Sequence, residues 1–405
     1  MNLSFFISNR ISRHTEGAFS TTINRIAVLC TGLGLAVLIV AFMVLYGFKT
    51  EIKNKIYSFS GHLIINKYTL STSFEETSIT VSDTLVAELE RYELTDRFQP
   101  YAMKAGLLKT SEEVQGILLK GVDHRFDTLG FRKHLLSGRF PDLFGDQYST
   151  EVALSKKIAG YLSLSVGDEV LIYFVQNPPR FRKLQVVGIY ETGLEEFDEK
   201  IVMGDLDLIR RMNNWEPNQA GGIEVFIHDT ESLAEAEQTL FNTIGIDLYV
   251  DKVTDKYIQI FDWLNLLNRN VVILLTIILF VVGTSIISIL LILIMERTQM
   301  IGVMKSIGAS NQLIRTVFIW NGIRLILKGL LWGNVIGIGI GLLQLYFKVI
   351  PLDPASYYMT HVPIQFDLPT ILGLNLLLLF IIGLTLFIPV TIVSRVQPVK
   401  AIRFD

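Results

Sequence analysis

One cysteine, Cys30, occurs among 405 residues. A lone cysteine excludes an intrachain disulfide framework and any cysteine-based zinc site. Charge is also scarce: Asp, Glu, Lys and Arg make up 19% of the chain, against about 25% in an ordinary soluble protein. No G-x-x-x-x-G-K-[ST] phosphate loop, no H-E-x-x-H and no G-x-S-x-G occurs. The chain therefore has no nucleotide-cradling loop of its own, and a membrane-anchored enzyme is disfavoured. The six histidines, at 14, 62, 124, 134, 228 and 361, show no ligand spacing. A net charge of −3 gives no footprint for nucleic acid.

What is present is apolar sequence in four uncharged blocks. Ile26 to Phe48 is 23 residues long, about 35 Å of helix, enough to cross a hydrocarbon core of about 30 Å. Val271 to Met295, Gly329 to Phe347 and Leu368 to Ser394 follow, the last with a kink expected at Pro389. These blocks predict membrane helices at 26–48, 271–295, 316–347 and 368–394. The first is too long for a signal-peptide core and lacks a small-x-small cleavage site after it, so a retained anchor is expected. No carboxylate lies within the blocks, which disfavours a proton-driven transporter.

Lysine and arginine set the expected orientation. Segments 1–25, 296–328 and 395–405 together hold 11 basic and 3 acidic residues, whereas 49–270 holds 24 basic and 34 acidic. Both termini and the middle loop are therefore expected in the cytoplasm, with 49–270 and the short loop 348–367 facing outward. In the N-terminal segment, Leu3, Phe6, Ile7 and Ile11 share a helical face beside Arg10 and Arg13, a pattern suited to the inner membrane surface.

Residues 49–270 predict an α+β domain inserted between the first two membrane helices. Val170, Ile172 and Phe174 alternate as in a strand, Asn177-Pro178-Pro179 reads as a hairpin tip, and Ile223, Val225 and Ile227 alternate again. Short helices are expected over 83–92 and 205–212, and Leu233, Ala236, Leu240, Phe241 and Ile244 fall on one helical face. At the domain edges Ile52, Ile56 and Phe59, and Tyr257, Phe261 and Leu264, keep helical spacing, as stalks continuing the membrane helices would. The acidic run Glu195, Glu196, Asp198 and Glu199 reads as a solvated loop.

Two segments carry more specific information. Gly329, Gly333, Gly337 and Gly341 recur every four residues, a spacing that lets another helix backbone approach closely. Candidate partners are Gly32 and Gly34 of the first span and Gly283, Ser285 and Ser288 of the second. Between the second and third spans, Met300, Val303, Met304 and Ile307 fall on one face of a short helix, Gly308 suits its end, and Ser310 suits the cap of the next. A methionine-rich face there suits lipid or the groove of a soluble partner.

The run Glu296-Arg297-Thr298-Gln299-Met300-Ile301-Gly302-Val303-Met304-Lys305-Ser306-Ile307-Gly308-Ala309-Ser310 resembles the E-R-x-x-E-I-G-x-x-[KR]-A-x-G-A-[ST] segment of the FtsX/MacB/Lol permease superfamily of ABC transporters. Further pieces are similar to its lipoprotein-releasing LolC/LolE branch. They are Phe5 to Arg10, Gly121-Val122-Asp123, Val152 to Ser155, Val166-Gly167-Asp168, Val186 to Leu194 and the tail Gln397 to Arg403.

The resemblance implies a bacterial inner-membrane, multi-pass permease without catalysis of its own. It would work with a second permease copy or a paralogue and with a separate ABC ATPase that holds the ATP and Mg. ATPase closure would pass through a coupling helix carrying Glu296, Arg297, Met300, Ile301, Gly302, Val303, Met304, Lys305, Gly308 and Ala309. The periplasmic domain would be MacB-like, the cargo a lipoprotein taken from the outer leaflet, and the acceptor a periplasmic carrier. This chain itself would bind no cofactor. Candidate cavity-lining residues at the outer ends of the first two spans are Val40, Phe42, Met43, Tyr46, Leu264, Leu267 and Val271. A carrier-binding hairpin would lie at 175–183, with Pro178, Pro179, Arg180 and Phe181. A regulatory scaffold acting on a cell-wall hydrolase, or an export permease, remains open as an alternative.

Overall fold

The computed structural model describes residues 18–68, 77–145, 148–174, 176, 178–245, 247–353, 357 and 359–388. The expected N-terminal surface helix, the Pro389 kink and the tail lie largely or wholly outside the described residues. The chain forms two compact units. One comprises residues 1–50, 263–351 and 361–405; the other comprises 51–262 and 352–360.

The first unit is helical. It holds α1 (Ala18–Ser60) as far as Thr50, α2 (Ile258–Glu296) from Trp263 onward, the short α3 (Thr298–Ser306), α4 (Asn311–Phe347) and α5 (Leu368–Thr385). Among them α1, α2, α4 and α5 are long and apolar enough to cross a membrane. The third is much longer than its 19-residue apolar core, because Ser310 starts it early: the Ser310 hydroxyl accepts from Leu313 N at 3.2 Å. Asp367 caps α5 in the same way, accepting from Thr370 N at 3.0 Å, with Pro369 in the first turn. Leu35, Leu38, Ile39, Leu378 and Ile382 are fully buried at the centre of the helix packing.

The second unit carries ten strands in one sheet: β1 (Leu63–Lys67), β2 (Thr95–Lys109), β3 (Val114–Val122), β4 (Leu135–Gly138), β5 (Glu151–Ser155), β6 (Glu169–Phe174), β7 (Arg180–Tyr190), β8 (Ile201–Asp205), β9 (Gly222–Ile227) and β10 (Leu248–Lys252). Their order is β10-β1-β9-β2-β3-β8-β5-β7-β4, and β6 pairs with both β2 and β7. Strands β10 and β4 stand at the two ends of that order, while β2, β3, β8, β5, β7 and β6 close a ring. Its interior buries Leu119, Leu154, Ile172, Leu184 and Val186, with Ile209 from the helix Leu206–Asn213 packed on it. A second core lies where β1, β9 and β10 meet the helices Asp83–Arg91 and Leu233–Thr243, burying Leu63, Leu89, Val225 and Leu240.

Candidate functional site

In the turn between the second and third spans, α3 is only nine residues long. Ile301 is fully buried, and it packs with Ile294 of α2 and Ile314 and Phe318 of α4. Gly302 is buried as well. Met300, Met304 and Ala309 are half-buried, and so are Arg297 and Lys305, while Glu296 is exposed. Val303 is 52% and Ile307 80% exposed. The single apolar face expected from the sequence is thus split: Met300 and Met304 lean inward, and Val303 and Ile307 stay outside. Gly308 adopts φ +93° and ends the helix, a conformation glycine reaches without steric cost. The geometry is a rigid, inward-anchored turn presenting two apolar side chains.

The glycine row of α4 faces α1. A Cβ on Gly329 would lie 2.6 Å from Thr31 Cβ, one on Gly333 2.8 Å from Gly32 O, and one on Gly337 3.1 Å from Ala36 Cα. Gly341 meets Met43, whereas Gly339 has nothing within 4 Å. Gly34 instead faces Val282 of α2. The amides of Asn334 and Asn375 exchange hydrogen bonds of 2.7 and 3.0 Å between α4 and α5. Gln344, buried near the end of α4, donates to Val362 O at 3.0 Å and accepts from Ile350 N at 2.9 Å. Neutral amides inside an apolar run carry no charge, so nothing in the sequence sets these three apart from the spans around them.

The residues expected to line a lipid cavity do not share one environment. Met43 and Leu264 are buried, and Met43 packs against the glycine row. Val40, Phe42, Tyr46, Leu267 and Val271 are half-buried. The apolar side chains that α2 leaves exposed are others, including Ile273, Ile277 and Phe280.

The hairpin also differs from expectation. Strands β6 and β7 pair as far as Phe174 with Arg180 and Tyr173 with Phe181, so Arg180 and Phe181 stand in the strand and the turn begins before them. Arg180 is not a free cation. It donates to Met212 O at 2.7 Å, Arg211 O at 3.0 Å and Asn214 Oδ1 at 3.1 Å, satisfying carbonyls at the end of the helix Leu206–Asn213. Pro178 and Pro179 are exposed, and so is Phe181, at 62%. Phe181 lies beside Tyr173, and Tyr173 lies opposite Leu107 of β2. These three form an exposed apolar row across three strands, visible only once β2 is paired.

The last turn of α1 is seated among aromatic rings. Phe59 is 1% exposed and lies 5.5 Å from Phe131, 5.6 Å from Phe197 and 6.2 Å from Tyr190, centroid to centroid. Lys120 donates to the Phe59 carbonyl and to Glu224 Oε1, placing a cation at the C-terminal end of a long helix dipole. Gln99 donates to the other Glu224 oxygen at 2.7 Å. The acidic run is largely paired and not merely solvated. Lys157 lies 2.7 Å from Glu195 and 2.6 Å from Glu199. Asp198 is buried and accepts from Thr192 and Gly193; burial pushes its carboxyl up. Among the described residues no group of three or more His, Cys, Asp or Glu could hold a metal ion.

Comparison with known proteins places these features in context. The family described as the MacB-like periplasmic core domain matches residues 26–241, and the family described as FtsX-like permease C-terminal matches 272–398. The chain is 22% identical to the lipoprotein-releasing system transmembrane protein LolC of Xylella fastidiosa, over 96% of each chain. It is 24% identical to the corresponding LolE of Haemophilus influenzae, over 84% of this chain and 83% of that one. The solved periplasmic region of MacB from Actinobacillus actinomycetemcomitans aligns at 17% identity, covering 53% of this chain and 98% of that chain, with a TM-score of 0.36.

Proposed function

This chain belongs to the MacB-like periplasmic core domain family and continues into an FtsX-like permease C-terminal domain, and on that footing we propose that it is the membrane subunit of an ATP-driven lipoprotein-releasing complex. It sits in the bacterial inner membrane with both termini cytoplasmic, paired with a second copy or a paralogue. The ATP and Mg are held by a separate ATPase. The relatives of comparable length named as lipoprotein-releasing proteins support the cargo class.

The observation that carries the mechanism is the turn at α3. Val303 and Ile307 are exposed, and Ile301 fixes the same turn to α2 and α4. A partner gripping the two exposed side chains can therefore displace the helices as a body. Movement along α1 reaches the inserted domain through Phe59 and Lys120, whose contacts bind the helix end to the sheet. Extracting acyl chains requires such an external source, since each buried CH2 holds about 0.8 kcal/mol in the bilayer. The exposed row of Leu107, Tyr173 and Phe181 serves as the surface offered to a periplasmic carrier.

Depletion of the protein in its own cell tests this reading. Accumulation of mature lipoproteins in the inner membrane is expected. Unchanged lipoprotein distribution with a defect confined to cell separation would contradict it and favour a regulatory scaffold.

A further inference from the structure

The backbone of Gln344 ends α4, and its side chain starts a second structure. Its carbonyl accepts from Lys348 N at 2.9 Å, where Lys348 turns left-handed at φ +48°. Its amide, on a residue 4% exposed, holds both arms of the outward loop. Nε2 donates to Val362 O at 3.0 Å and Ile350 O at 3.3 Å, and Oε1 accepts from Ile350 N at 2.9 Å. Beyond the amide the arms pair with each other. Val362 N donates to Ile350 O at 3.2 Å, Pro351 and His361 form an antiparallel bridge, and Leu352 N donates to Thr360 O at 3.0 Å. Past this ladder, Gln365 N donates to Met43 O of α1 at 3.1 Å. The foot of the ladder belongs to the helical unit, and residues 352–360 belong to the unit of the sheet. Within 352–360, Met359 is 6% exposed, and Asp353 lines a cleft with Lys156, Tyr161 and Glu191 of the sheet unit.

We propose that the paired arms 350–352 and 360–362 are a third path of displacement into the inserted domain, beside α1 and α2, and that Gln344 is its positioning residue. The chain passes from one unit to the other within α1, within α2 and at both arms of this ladder. The role rests on force entering at α3, as proposed above; the ladder rests on its own hydrogen bonds. Ile314 and Phe318 of α4 pack with Ile301 of α3. From there α4 runs unbroken to Phe347, 37 residues in all and about 55 Å of helix, so a push at α3 arrives at Gln344. Joining neighbouring helices takes about 2–8 residues, whereas 348–367 is 20 residues long, and the surplus forms the ladder and its tip. A two-stranded ribbon is marginal on its own in water. Three hydrogen bonds from one buried amide fix both arms at the foot and keep them paired. A push from α4 then moves the tip instead of folding the loop.

The test compares three forms of the full-length chain in the complex reconstituted with its ATPase. They are the unaltered chain, Gln344→Leu, and a chain with two glycines inserted after Pro351 and two before His361, which slackens both arms and replaces no residue. ATP hydrolysis, lipoprotein transfer and thermal midpoint are measured on each. Coupling between distant sites is worth about 5- to 150-fold. Transfer should therefore fall at least about fivefold in both variants, with ATP hydrolysis unchanged and the midpoint of the insertion variant unmoved. Transfer at the unaltered rate from the insertion variant overturns the link. ATP hydrolysis or the midpoint falling in step with transfer overturns it too, since the ladder would then only support the fold. Hydrogen exchange over the helix Lys156–Tyr161, with and without ATP and vanadate, gives a readout free of cargo. A nucleotide-dependent change that the insertions abolish supports the link; no change in the unaltered chain, or one that survives the insertions, overturns it. An unaltered complex that transfers no lipoprotein refutes the proposed cargo, and the exchange measurement still decides the link.

Discussion

Lys120 Nζ lies 2.5 Å from Glu224 Oε1, and both side chains are 1% exposed. Desolvating two charges is costly, so a pair of this kind is weak evidence for stability by itself. Its position is what distinguishes it, because the same ammonium also holds the Phe59 carbonyl at the end of α1. Lys120→Met leaves Glu224 buried with Gln99 as its one remaining side-chain partner among the described residues, and should cost about 3–5 kcal/mol. Lys120→Met/Glu224→Gln should recover much of that loss. Thermal unfolding of the full-length protein in detergent reads both, and a double variant no more stable than the single one would count against the pair.

The glycine row of α4 makes a position-specific forecast. Gly329→Leu and Gly333→Leu force atoms into the Thr31 and Leu35 side chains and the Gly32 backbone, an overpacking worth about 1–3 kcal/mol or more. Gly339→Ala meets nothing within 4 Å and should leave the thermal midpoint unchanged or slightly raised. Equal sensitivity at 333 and 339 would mean that α4 does not pack on α1 through this face.

Two histidines of the inserted domain give it an acid sensitivity. Burial pulls His62 and His134 down to about 4, aided by Arg97 for His62 and by Lys133 and Lys55 for His134. His62 Nδ1 also accepts a hydrogen bond from Ile227 N at 3.1 Å, which the protonated ring cannot do. A pKa depressed on folding stabilises the native state above the unfolded value, about 6.5, and that contribution is lost as pH falls towards 4. Stability should therefore decline between pH 6.5 and 5, and His62→Gln should flatten part of the decline. A profile flat over that interval, or unaffected by the substitution, would contradict this.

Arg180 and Phe181 are neighbours with different duties. Arg180 ties β7 to the end of the helix Leu206–Asn213, so Arg180→Ala should cost about 1–3 kcal/mol through its orphaned carbonyls. Phe181→Ala removes an exposed ring and should leave stability within about 0.5 kcal/mol while weakening capture of a carrier protein. Pull-down and thermal unfolding of both variants separate these outcomes; carrier binding that survives Phe181→Ala intact would reject the proposed surface.

Local features of the fold were legible in the sequence, and long-range ones were not. The four spans stand out because an uncharged run of 19 residues or more has few other uses. Ile52, Ile56 and Phe59 could be read as a buried helical stripe, and all three are buried. Their socket could not be read, since Phe131, Tyr190 and Phe197 come from distant stretches that only sheet pairing gathers. The same holds for Arg180, whose partners lie more than thirty residues away. At α3 the helical period was readable, but whether Ile301 or Val303 faces inward depends on how α2 and α4 converge. For the glycine row the close approach was readable from spacing, whereas the choice of Gly32 over Gly283 as the facing residue was not.

The account turns on force entering at α3 from a separate ATPase. It is tested most directly by reconstituting the complete complex in proteoliposomes and measuring ATP-dependent transfer of a lipoprotein to a soluble carrier, with Val303→Asp/Ile307→Asp beside the unaltered chain. The account predicts a folded complex whose transfer falls at least tenfold, because a charge on each exposed contact costs more than about 1.4 kcal/mol of docking. Transfer at the unaltered rate from the double variant, or from a preparation of this chain without any ATPase, would contradict it.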